Sequence, residues 1–199
     1  MRTTVSFLIG CVFGATGILI WVSETGAMPR KEAEVTAAAI AAPGVTPTPP
    51  SVLPAGFPVL EMPVEGIRPS DLRRDFDDKR GGGRVHQALD ILAPRGTPVL
   101  AVADGRIRKL FTSKAGGLTI YQYDEAEKTC FYYAHLDRYA EGISEGMSVK
   151  SGSLIGYVGT TGNAPPGAPH LHFAVTRLPP TKEWWKGEAV DPFPLLTAR

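Results

Sequence analysis

The chain has 199 residues and a formal net charge of +1, from 21 basic and 20 acidic side chains. The length fits one folded domain with appendages, and the even balance, with no basic stripe, excludes nucleic acid as the partner. Cys11 and Cys130 fall in an apolar N-terminal run and in the globular part, so a disulfide within the domain is excluded, and the lack of a Cys-x-x-Cys pair excludes a thiolate zinc site.

Residues 1–4 read as a short cytoplasmic N-terminus. The next stretch, 5–22, "VSFLIGCVFGATGILIWV", carries no charge. Its length is near the lower limit of the roughly 17–25 residues of a membrane-spanning helix, and it exceeds the roughly 7–15-residue apolar core of a signal peptide. It reads as a transmembrane anchor, the alternative being a signal segment cleaved after Ala27. "LIGC" at 8–11 is similar to a lipoprotein box, but the apolar run continues past Cys11, so acylation is not expected. Both readings put the folded part outside the cytoplasm. Residues 23–58 are rich in Ala, Pro and Thr and read as an extracytoplasmic linker, with "PTPP" at 47–50 extended. The segment 31–42 has the composition of a short helix without a broad apolar face.

From 59 to 199 the chain is long enough for one core. A helix is predicted over 68–76 with Ser70 as its N-cap. Strands are predicted at 97–103, 105–113, 118–124, 128–136, 152–159 and 170–177, separated by Asp-Gly, Gly-Gly, Glu-Gly and Thr-Gly-Asn turns. This spacing predicts a mostly β domain, an antiparallel sandwich or open barrel.

All four histidines lie in this part: His86, His135, His170 and His172. In a strand, His170 and His172 share one face, and Leu171 and Phe173 the other. His86 and Asp90 are four residues apart, about 13 Å in a straight strand, so the backbone must bend if both are to reach one ion. In "FYYAHLD", alternation puts Phe131, Tyr133 and His135 on one face. Singly, these features also suit a half-buried polar strand face, an ion pair at i,i+4 and a strand-end histidine beside tyrosines. Taken together, two imidazoles and a carboxylate are the donor types of open zinc sites, and the remaining histidines are available to move protons. There is no His-Glu-x-x-His helix and no Gly-x-Ser-x-Gly elbow.

The order "HQALD" (86–90), "YAHL" (133–136) and "HLHF" (170–173) resembles the lysostaphin-type, LytM-like zinc metalloendopeptidases, which cut peptide bridges in bacterial peptidoglycan. "APRGTPVLAVADGRI" (93–107), "GTTGN" (159–163) and "VDPFPLL" (190–196) extend the likeness over roughly 59–199. The resemblance implies an antiparallel β fold of the duplicated-hybrid-motif type with a central groove. It implies one Zn2+ per domain held by His86, Asp90 and His172, with His135 and His170 as the catalytic pair. The nucleophile is then a water activated by the ion, and the partners are peptidoglycan stems or cross-bridges, the membrane through residues 5–22, and a regulatory protein. The alternative is a non-catalytic relative that binds and activates another cell-wall hydrolase. Where the family motif has Gly, this chain has Ala88. It also has no Asn before Asn163 to block the site from an upstream segment.

Overall fold

The structure, a computed structural model, describes residues 53–198. The anchor at 5–22, most of the linker, the 31–42 segment and Cys11 lie outside the described residues. Nine strands occur in chain order: β1 (Leu89–Leu92), β2 (Pro98–Leu100), β3 (Gly105–Ser113), β4 (Gly117–Asp124), β5 (Thr129–Tyr139), β6 (Ser148–Val149), β7 (Leu154–Val158), β8 (His170–Arg177) and β9 (Glu188–Val190). One helix, α1 (Pro192–Thr197), follows them. All strand pairs are antiparallel, and the order along the sheet is β1-β8-β5-β4-β3-β6, with β9 on β8, and β7 joining β5 to β2. The path is open, as expected of a mostly β domain with little helix. The eighth strand lies between the first and the fifth.

Alternation builds the core. Leu89 and Ile91 of β1, Phe131 and Tyr133 of β5, and Leu171, Phe173 and Val175 of β8 are buried together. Full burial of such side chains contributes about 1.5–3 kcal/mol each. Beneath them, the Tyr133 hydroxyl donates to Gln122 Oε1 at 2.7 Å and accepts from the Val102 N–H at 3.1 Å. Gln122 Nε2 donates to the Ala103 carbonyl at 2.7 Å, so both the oxygen and the nitrogen of this buried amide have a partner. Cys130 is buried and unpaired, and burial pushes its thiol up to about 12.

Three local expectations are corrected: the helix over 68–76, its cap at Ser70 and the strand face of His135. The helix over 68–76 is only a 3-10 turn, Pro69–Asp71, capped at Arg68 instead of Ser70. The chain beyond it is drawn out because Asp75 is needed elsewhere: its carboxylate is buried and accepts from the Asp90 N–H at 3.3 Å. The helix that does form, α1, is capped by Asp191, which accepts from the Phe193 N–H at 2.9 Å and precedes a proline at the first turn.

The third correction concerns His135. It does not lie on the face of Phe131 and Tyr133, because it has a left-handed φ of 60° at an irregularity of β5. Here β5 changes neighbours: residues 129–134 pair with β8, and Leu136 onward pairs with β7. The extra residue reverses the alternation and turns His135 out of the core. There it lines the groove.

Candidate metal centre

The groove encloses about 620 Å³. His86, Asp90, His135, His170 and His172 all line it. Asp90 and His172 are directly opposed in the β1–β8 register, and His172 is in turn opposite Ala134 of β5. His170 and His172 share the groove face of β8 while Leu171 and Phe173 are fully buried behind them. The bend that His86 requires falls at Gln87, whose φ is 54°. Ala88 is fully buried and has no left-handed φ, so a methyl group is tolerated there.

Three donor atoms meet. His86 Nε2 is 3.0 Å from Asp90 Oδ1, His172 Nδ1 is 3.0 Å from the same oxygen, and the two nitrogens are 3.1 Å apart. A tetrahedral ion with bonds of about 2.0–2.2 Å holds its ligands about 3.3–3.6 Å apart. The triangle therefore needs to open by only a few tenths of an ångström, and its two-nitrogen, one-oxygen donor set suits a divalent first-row metal. Among the described residues this is the one cluster of His, Cys, Asp or Glu with such spacing.

The surroundings hold these groups in place. His86 Nδ1 donates to the Asp75 carbonyl at 3.0 Å, leaving Nε2 for the centre. Arg80 Nη2 donates to Asp90 Oδ2 at 2.8 Å, which turns Oδ1 towards the imidazoles. Burial alone would lower the His86 imidazole, but Asp75 and Asp90 outweigh it and push it up to about 9. Burial would likewise raise the Asp90 carboxyl, yet His172 and His86 hold it well below the usual carboxylate range.

The other two histidines stand beside the triangle. Their ring centroids are 4.9 Å apart, and His170 Nε2 is 3.9 Å from Asp90 Oδ1. His135 Nδ1 donates to the Thr161 carbonyl at 2.8 Å, and His170 Nδ1 to the Ala168 carbonyl at 2.8 Å. Each bond fixes a tautomer that leaves the Nε2 lone pair free. Burial holds the His135 imidazole down at about 4, so it is neutral at pH 7 and accepts a proton before it can give one. Thr161 is positioned by a close backbone approach. A Cβ on Gly162, whose φ is 75°, would lie 2.3 Å from the Ala115 carbonyl oxygen.

All five predicted site residues thus share one groove. The sequence reading missed Asp75, Arg80 and the carbonyls of Thr161 and Ala168. The carbonyls have no signal of their own, and Asp75 is one acidic residue in the run "DFDD".

Residues 84–192 match the family model described as Peptidase family M23. The L-Ala–D-Glu endopeptidase of Bacillus subtilis (strain 168) is 36% identical over 133 residues, 63% of this chain and 39% of that protein. Cell division protein DipM of Caulobacter vibrioides is 32% identical over 148 residues, 73% of this chain and 22% of that protein. The chain thus spans well under half the length of these curated relatives. A mutant catalytic domain of EnpA, a prophage-encoded M23 protein of Enterococcus faecalis, superposes with a TM-score of 0.50 at 28% identity, over 61% of this chain and 87% of that one.

Proposed function

The chain belongs to peptidase family M23, and from that premise we propose that it is a zinc-dependent endopeptidase hydrolysing peptide cross-links of bacterial peptidoglycan. The observation that carries the reading is the triangle of His86, Asp90 and His172 with two further imidazoles presenting free Nε2 atoms beside it. Zinc, when bound, supplies Lewis acidity that brings the pKa of water towards about 7. His135 Nε2, neutral at pH 7, takes the proton of the attacking water and passes it to the amine nitrogen as the C–N bond breaks. His170, oriented by Ala168, has to take up a proton at Nε2 before it can donate to the oxygen of the amide under attack and steady its developing charge. Asp75 and Arg80 keep His86 and Asp90 oriented throughout.

The test is direct. The full chain, stripped with a chelator and reloaded with zinc, releases new amino termini from purified peptidoglycan, and the stripped chain does not. A zinc-loaded chain that releases none overturns the reading. A second reading, a non-catalytic regulator that binds another hydrolase, draws on the relative named as a cell division protein. The complete donor set favours catalysis, since a purely binding role has no use for it.

The substrate implies a location in the cell envelope. We place residues 5–22 in the cytoplasmic membrane, or in a cleaved signal, with residues 23–58 as tether and the peptidase domain of 59–199 outside. Among the described residues no helix is long and apolar enough to cross a membrane. Arg30 and Lys31 beyond the apolar run oppose this orientation by count, but long domains translocate largely regardless of charge. A reporter fused to the C-terminus that works only in the cytoplasm excludes the placement.

A further inference from the structure

We propose that Arg84, on the hairpin that also carries Arg80, makes the groove selective for peptides that carry free carboxylates, such as unamidated stem peptides, over neutral bridges. The inference rests on the peptidase reading and names the substrate class of that site. The segment is "RGGGR". Lys79 and Val85 form an antiparallel bridge, and the Arg80 N–H donates to the Arg84 carbonyl at 2.8 Å. Between them Gly82 and Gly83 take φ of 75° and 76°, which glycine adopts at least cost. This hairpin sets both arginines on one wall of the groove.

The charge of the groove is one-sided. Its formally charged lining side chains are Arg80, Arg84 and Asp90, and Ala115, Gly116, Asn163, Ala164, Pro165 and Ala168 add no charge to the lining. Asp90 is fully used: Oδ1 faces two imidazoles and Oδ2 takes Arg80. Arg84 is exposed and has no carboxylate partner among the described residues, and its Nε reaches only the Gly81 carbonyl at 3.3 Å. The groove therefore holds a cation whose planar fork awaits an acceptor. A carboxylate satisfies such a fork through paired, charge-assisted bonds, which a neutral amide cannot match. A glycyl bridge offers it only neutral carbonyls.

The test uses the full zinc-loaded chain and two synthetic cross-linked stem peptides, identical except that one has its free carboxylates amidated. Kd and kcat/KM are measured for both at low and moderate salt. The wild-type chain prefers the carboxylate form by about five- to tenfold, and salt reduces the preference. Arg84→Glu brings it to one or below, and Arg84→Lys retains part of it. Equal handling of the two peptides by the wild-type chain, or an unchanged ratio in Arg84→Glu, overturns the proposal. A preference in Kd without cleavage of either peptide supports the recognition and overturns the peptidase reading instead.

Discussion

A His172→Ala chain, purified and reloaded in the same way as the wild type, retains far less than one zinc and loses peptidoglycan hydrolysis. His172 Nδ1 closes the triangle, 3.0 Å from Asp90 Oδ1 and 3.1 Å from His86 Nε2. Catalytic zinc sites take three protein ligands, and the remaining pair leaves half the tetrahedron to solvent. Elemental analysis and competition with a chromogenic chelator measure the loss. A variant that still holds one zinc per chain shows that His172 is not a ligand. In the wild type, apparent zinc affinity rises with pH across the neutral range. Without metal, the His86 imidazole is raised from 6.5 to about 9, so it is protonated at pH 7. Its ion pairs stabilise the metal-free fold fully below pH 6.5 and are lost as pH climbs through about 9. Zinc has to displace that proton, so acid disfavours loading. A flat affinity from pH 6 to 9 contradicts this.

His135→Ala separates binding from turnover. The variant keeps its zinc, because His135 is bonded to the Thr161 carbonyl and to none of the three donor atoms. Its hydrolysis falls by roughly 10²–10⁴-fold, the usual contribution of a positioned proton acceptor. The substitution leaves a Cβ at the same left-handed φ of 60°, so it adds no backbone strain. Zinc content and kcat measured on one preparation decide the matter. Loss of metal along with activity would make His135 a ligand and falsify the role given to it here.

The parts of the molecule legible in its sequence are those where a local rule coincides with the global fold. β3 and β8 match their predicted runs residue for residue, since each is long, alternates and ends at turn residues. Alternation also placed His170 and His172 on one face. The short elements were not legible: β1 has four residues, β6 two and β9 three, too few for a periodic signal. The failed helix over 68–76 shows the opposite effect. Its local pattern is sound, but the buried carboxylate of Asp75 serves the Asp90 N–H, and tertiary demand overrides propensity. His135 was assigned to the wrong face because alternation assumes an unbroken strand, and the irregularity arises from a change of partner strand that the segment does not encode by itself. The need for a bend between His86 and Asp90 followed from strand geometry, while its location at Gln87 did not.

The place of β8 in the sheet has a consequence for how the molecule comes into being. This strand is eighth of nine among the described residues, yet it is inserted between β1 and β5. His172 meets Asp90 across 82 residues of sequence and His86 across 86. Such high contact order makes loop closure the slow part of folding. A chain emerging N-terminus first can assemble β3, β4 and β5 from neighbouring segments, but β1 has no strand to pair with until β8 arrives. The donor set is therefore incomplete until β8 has been delivered, and a nascent chain short of it cannot close the triangle of His86, Asp90 and His172.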